Sequence, residues 1–308
     1  MSEPIGDTQD QTGGTAEPAT ATPALLDRLS EVLQHVIGAV VGTNRKPPRR
    51  LKSLLNGTWL GHPLHPVITD VPIAAWGLAA LFDILWLVRA SLNHWAVRGA
   101  QAAVVVGVAA ALGAYVTGAT DWSDTFGAER RTGLIHGLFM SLALLLYAIS
   151  TGLRFAVPDG QSTAAAVMGF VGLASVLTGA YFGGDLVFRF ATGVNHTVMD
   201  PFVEDFTPAI ALADLERDTL RRVVVAGAPV VLLRDGERVY AIGATCTHAG
   251  GPLAEGTLEG GVVQCPWHGS RFRLRDGHVM SGPATIAAPR YIVRVRDGQV
   301  EIKRAGSH

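Results

Sequence analysis

Two pairs of side chains in the last quarter of the chain have the chemistry to bind a metal. One residue separates Cys246 from His248, and two separate Cys265 from His268, in the segments Cys246-Thr247-His248 and Cys265-Pro266-Trp267-His268-Gly269-Ser270. Thiolate and neutral imidazole are both good ligands for transition metals. Two of each suit two kinds of centre. One is a four-coordinate zinc ion. The other is a pair of irons, with the thiolates on one metal and the imidazoles on the other. In the second case neutral imidazole removes negative charge from one iron, which makes reduction easier. The chain holds 2 cysteines in all, so it has no disulfide framework.

The residues beside each pair are small. Ala249, Gly250, Gly251 and Pro252 follow the first pair, and Gly269 and Ser270 follow the second. Such residues let backbone N–H groups come close to metal-bound sulfur. Gly282 and Pro283 supply a further loop that can pack on the site. Short β-prone runs surround these loops, at 223–225, 230–233, 239–242, 262–264, 272–274, 292–295 and 300–302. Asp-Gly turns at Asp235-Gly236, Asp276-Gly277 and Asp297-Gly298 separate them. The pattern predicts short antiparallel strands joined by tight turns.

The rest of the 308 residues read differently. The whole chain is 48% hydrophobic and only 17% charged, a balance that points to membrane spans. Four apolar runs, about 67–88, 99–118, 133–153 and 163–183, each approach the ~20 residues that cross a bilayer. The net charge of −1 gives no electrostatic case for a nucleic-acid partner.

Residues 1–23 are polar and are expected to be a disordered tail without a cleavable signal. Residues 24–54 are expected to be an amphipathic helix followed by a basic loop. In that helix Leu25, Leu29, Val32, Val36 and Val40 form one face, opposite Asp27, Arg28 and Glu31. The loop carries Arg45, Lys46, Arg49, Arg50 and Lys52.

Basic residues set the expected orientation. Arg130, Arg131 and Arg189 join the loop cations on one side, against Arg89, Arg98 and Arg154 on the other. The positive-inside bias places the N-terminus in the cytoplasm. Four spans return the chain to that side, so the C-terminal domain is expected there too. The membrane is read as the bacterial inner membrane.

Span two ends in Thr117-Gly118-Ala119, and span four ends in Thr178-Gly179-Ala180. This match predicts two related helical hairpins.

The Cys-x-His and Cys-x-x-His spacing, with Cys265-Pro266-Trp267-His268-Gly269-Ser270, resembles the Rieske [2Fe–2S] family over 206–304. The resemblance implies one [2Fe–2S] cluster on Cys246, His248, Cys265 and His268. It also implies two stacked antiparallel sheets, with Ser270, Gly269 and Gly250 next to the cluster. In the respiratory subtype each ligand loop carries an extra cysteine, and the two form a disulfide. Here Gly251 and Trp267 take those places, so packing must hold the loops together. Phe272 stands where a tyrosine hydroxyl would reach a ligand thiolate. The segment Gly61-His62-Pro63-Leu64-His65-Pro66 resembles a bacterial four-helix membrane family over 55–200, whose activity is not established. The fold class expected is an all-α four-helix transmembrane bundle followed by an all-β Rieske-type domain.

Ionisable residues inside spans are costly and are candidates for function. His62, His65, Asp70, Asp121, His136 and Asp185 fall near the side that holds the ligand pairs. They are read three ways: as a haem b or metal site, as a quinone pocket, or as a polar cap of hydrogen-bonded helix ends. Asp83 lies nearer the far interface, where Arg89 or Trp86 is its expected partner. The function expected is one-electron transfer between a membrane donor, quinol or haem, and a cytoplasmic acceptor. The alternatives are an electron-donating subunit for a separate oxygenase or reductase, and a redox-gated membrane transporter or sensor. No independent catalytic centre is evident. The partners are therefore the lipid bilayer and a redox protein or quinone.

Overall fold

The computed structural model describes residues 25–42, 50–88, 93–160 and 162–306. The expected tail over 1–23, and Arg45, Lys46, Arg49 and Arg89, lie outside the described residues. Six helices come first: α1 (Leu25–Val41), α2 (Arg50–Asn56), α3 (Leu64–Val88), α4 (Asn93–Trp122), α5 (Gly127–Ala156) and α6 (Thr163–Phe188). The last four are long and apolar enough to cross a membrane. Their large side chains, including Leu78, Leu112, Leu145 and Leu177, face outward. Ala79, Ala100, Ala111, Ala143 and Ala165 fill the contacts between helices. This is the packing of helices in lipid, where close backbone approach replaces a hydrophobic driving force.

Two expectations change here. Part of the basic stretch is the helix α2 rather than a loop, and Lys52 on it is buried against Ser123 Oγ (2.8 Å) and Asp124 Oδ1 (2.9 Å). The partner of Asp83 is Arg154, held by two hydrogen bonds of 2.9 and 2.5 Å, with both residues buried. Arg154 is therefore no loop cation. It turns back into the bundle because Asp83, one helix away, is the anion within reach.

The amphipathic helix α1 docks through its polar side. Asp27 takes two 2.7 Å bonds from Arg131, and Gln34 donates to the Trp122 and Thr125 carbonyls. Leu25, Val32, Val36 and Val40 point away from the protein, as suits a helix lying in a membrane interface.

The bundle is an internal duplication. Three pairs link α3 to α5 with one common offset of 71 residues: His65 with His136, Trp76 with Tyr147, and Asp83 with Arg154. The Trp76 and Tyr147 rings stack 4.2 Å apart at 3°. A second constant offset relates α4 to α6. Gly107 and Gly172 make room for the Trp76 and Tyr147 rings, and Gly118 and Gly183 make room for His65 and His136. The sequence match had aligned Gly118 with Gly179. The packing equivalence falls one helical turn later, because small residues recur every turn on the buried face.

The C-terminal domain has three antiparallel sheets. β1 (Thr207–Ala211) pairs with β10 (Gln299–Arg304), which pairs with β9 (Tyr291–Arg296). A second sheet runs β2 (Leu220–Val225), β3 (Ala228–Asp235), β4 (Arg238–Gly243). A third holds β5 (Thr257–Glu259), β6 (Val262–Gln264), β7 (Arg271–Arg273) and β8 (Val279–Ser281). Val230, Leu232, Ala241, Val300 and Ile302 form the core between the first two sheets. Val231, Ile242, Leu253, Val263, Phe272 and Leu274 form a second core that also encloses Cys246 and Cys265. The sequence runs miss β1, β5 and β8, which are too short or too mixed in composition to show alternation.

Candidate metal centre

The two ligand loops are built alike. The first leaves β4 and the second joins β6 to β7. Each closes on a glycine with a left-handed backbone. Gly250 (φ 77°) donates its N–H to the Cys246 carbonyl at 2.9 Å, and Gly269 (φ 77°) donates to the Cys265 carbonyl at 3.2 Å. A β-carbon is strained at both positions. The β6–β7 register, Gln264 opposite Arg271, continues into the loop as a 2.8 Å bond from the Cys265 N–H to the Ser270 carbonyl. These turns bring the four donors together at one tip. The His248 and His268 ring centres are 4.9 Å apart at 80°, and the Cys246 and Cys265 thiols are hydrogen-bond partners.

The donors fit a two-iron cluster. The His248 Nδ1 is buried with no hydrogen-bond partner, a costly state for a polar atom that has no ligand to serve. Enclosure of the ring, aided by His268, lowers the His248 pKa from 6.5 to about 3, so the imidazole is neutral, as metal ligation requires. The neighbouring Cys265 and burial push the Cys246 thiol up, while N–H groups of His248 and Ala249 aimed at the sulfur work the other way. A cation beside these sulfurs resolves that conflict in favour of thiolate.

Packing joins the two loops. The Cys246 N–H donates to the Gly251 carbonyl at 2.8 Å. A β-carbon at Gly251 would lie 2.7 Å from the Cys265 sulfur and 3.2 Å from the Trp267 ring. Gly251→Ala is therefore expected to force the loops apart, at about 1–3 kcal/mol for overpacking. The check is iron content together with thermal unfolding, and a variant that keeps full cluster content and wild-type stability contradicts it.

Ser270 is fully buried, and its Oγ accepts the Ala284 N–H at 3.1 Å. That bond leaves the hydroxyl proton available as a donor. Phe272, also buried, contributes no hydroxyl. With few donors to stabilise the reduced form, the potential is expected in the lower to middle part of the roughly −150 to +300 mV Rieske range, and lower still in Ser270→Ala. A redox titration near the upper limit, or an unchanged value in the variant, contradicts this.

The tip faces the membrane half. Thr58 Oγ1 donates to the Gly282 carbonyl (3.0 Å), the Gly282 N–H to Ser53 Oγ (3.3 Å), and the His196 N–H to the Thr247 carbonyl (3.2 Å). Phe126, at the α4–α5 turn, lies over His268 with ring centres 5.2 Å apart at 29°. Between the halves is a cavity of about 570 Å³. His248, His268 and Trp267 line it from one side, and Phe126, Phe190, Asp121 and Glu129 from the other. This cavity joins segments far apart in the sequence, and no local motif announced it.

The six polar residues of the spans do not converge. Asp121 lines the cavity and accepts from Asn56 at 2.7 Å. His65 and His136 lie deeper in the bundle, with ring centres 6.5 Å apart and ring planes at 85°. His62 and Asp70 are exposed, and Asp185 pairs with Arg189 at 3.3 Å.

Comparison with known proteins agrees with this division. Residues 205–292 match the family described as Rieske [2Fe-2S] domain, and residues 61–196 the family described as Predicted membrane protein (DUF2231). "Ferredoxin CarAc" of Metapseudomonas resinovorans is 40% identical over 93 residues, which is 30% of this chain and 87% of that protein. The ferredoxin component of a naphthalene 1,2-dioxygenase system of Pseudomonas putida is 31% identical over 94 residues, covering 30% of this chain and 90% of the relative. The solved ferredoxin of carbazole 1,9a-dioxygenase from Nocardioides aromaticivorans IC177 aligns with 32% of this chain and 98% of its own, at 27% identity and a TM-score of 0.31.

Proposed function

Because the chain belongs to the Rieske [2Fe–2S] family through its C-terminal domain, we propose that it carries single electrons between a donor in its membrane half and an acceptor in the cytoplasm. Cys246 and Cys265 would hold one iron, and His248 and His268 the other. When bound, the cluster supplies one-electron chemistry. The chain's own residues enclose the sulfurs, keep the His248 imidazole neutral and place both imidazoles on the wall of the cavity.

The observation that carries this reading is the cavity. The imidazole edge, where a cluster comes closest to the domain surface, opens onto a space whose other wall is the ends of the membrane helices. A volume of that size with aromatic walls and a few polar groups suits a small organic donor. Tethering fixes the local concentration of the site at the bilayer. We assign the assembly to the bacterial inner membrane, with the N-terminus and Rieske domain on the cytoplasmic side. The clustering of Arg130, Arg131 and Arg189 near the tip, with Arg154 buried elsewhere, supports that orientation. The ferredoxin relatives favour onward delivery to a separate oxygenase or reductase as the cytoplasmic step.

The test uses the full chain in proteoliposomes with a lipid-soluble quinol as sole reductant. The cluster's paramagnetic signal is expected to appear, and to appear more slowly in Ala249→Phe, which fills the cavity, while dithionite still reduces that variant fully. Equal rates in the two proteins would contradict the reading.

A further inference from the structure

Of the six polar residues flagged in the spans, His65 and His136 alone face each other, and they do so as equivalents under the duplication. His65 Nδ1 lies 2.8 Å from the Ala114 carbonyl, and His136 Nδ1 lies 2.8 Å from the Gly179 carbonyl. A carbonyl only accepts, so each Nδ1 carries the proton and each Nε2 keeps a lone pair. Among the described residues no protein group hydrogen-bonds either Nε2. Histidines that bind metals characteristically donate their other ring N–H to a carbonyl or carboxylate in this way.

The spacing suits an ion between the rings. With metal–imidazole bonds of about 2 Å, two ligand rings sit with centres roughly 6 Å apart, against 6.5 Å here. A bare ion would need further donors from the protein, and among the described residues no third His, Cys, Asp or Glu joins the pair. Haem iron brings four nitrogens of its own and asks the protein for axial ligands only. The walls are apolar, with Phe139 and Phe182 stacked 5.9 Å apart on the turn beside His136. A β-carbon at Gly137, the next residue on α5, would meet nothing within 4 Å.

We propose that His65 and His136 are the two axial ligands of a b-type haem on the pseudo-twofold axis of the bundle. The haem lies beyond the cavity from the [2Fe–2S] tip, since Pro63 and Asp121, which line the cavity, flank His65 and Gly118 in sequence. The proposal adds a second redox centre on the membrane side of the cavity, and so rests on the electron-transfer reading of the cavity.

The full chain, purified from cells supplied with iron and a haem precursor, is expected to contain stoichiometric haem with the optical and EPR spectra of a six-coordinate low-spin iron. His65→Ala and His136→Ala each lose that spectrum while retaining the cluster signal, which serves as the check on folding. In His136→Gly, added imidazole restores the low-spin spectrum. Haem-free protein with an intact cluster overturns the proposal. So does a bare metal ion at the pair, or a low-spin haem that survives both alanine variants. The two readings fail separately: haem absent while quinol still reduces the cluster sinks this one alone, and haem present with a cluster that no membrane donor reduces sinks the electron-transfer reading alone.

Discussion

His248→Ala leaves the protein without its cluster: iron and acid-labile sulfide fall to background, and the reduced-state EPR signal disappears. The reason is local. His248 Nδ1 is a buried nitrogen with no protein partner, on a loop pinned by the Thr247 hydroxyl to the Ile286 carbonyl at 2.7 Å. His268 is already the second imidazole of the set, and alanine at 248 offers no nitrogen in place of the one removed. Cys265→Ser is expected to do the same by removing a thiolate. The damage extends beyond the centre, since Cys246 and Cys265 belong to the core shared with Val263, Phe272 and Leu274. Loss of the cluster therefore lowers the unfolding temperature of the C-terminal domain as well. Full iron and sulfide content in His248→Ala would contradict the assignment.

Breaking the Asp83–Arg154 pair is expected to have the second largest effect. Both side chains are only 3% exposed, inside helices long and apolar enough to cross a membrane. Replacing Asp83 by leucine leaves the guanidinium uncompensated, and replacing Arg154 by methionine leaves the carboxylate so. Either single change costs about 3–5 kcal/mol. The double variant Asp83→Leu/Arg154→Met removes both charges and recovers most of the loss, because a well-packed apolar pair often matches a buried ion pair in stability. Thermal unfolding of the detergent-solubilised protein, read as monodisperse fraction, checks all three. Single variants as stable as the parent, or a double variant worse than either single, would contradict the argument.

The ligand set was legible because it is local. Cys246 to His248 and Cys265 to His268 each fit within one loop, so spacing alone carries the chemistry. The spans were legible from hydropathy for the same reason. What could not be read was whatever depends on how distant segments meet. Arg154 looked like a loop cation until α5 was seen to carry it beside Asp83. Helix α1 showed its two faces in sequence, but not that Asp27 would turn inward to Arg131 while the apolar stripe turned outward. The duplication was visible in its small residues, yet misaligned by a turn, because glycine and alanine recur too regularly to fix a register. His65 and His136 were noticed among six candidates. Only the packing separates that pair from His62 and Asp70, which are exposed. The cavity draws on α2, the α4–α5 turn, the segment after α6 and both ligand loops, and it has no counterpart in any single stretch of sequence.

The most direct measurement is pulsed EPR on the dithionite-reduced full chain, prepared anaerobically with histidine carrying heavy nitrogen. The account predicts a rhombic signal whose average g value lies below that of the free electron, with hyperfine coupling to two histidine nitrogens. A protein that gives no signal and carries zinc at Cys246, His248, Cys265 and His268, or a cluster without nitrogen coupling, would contradict it.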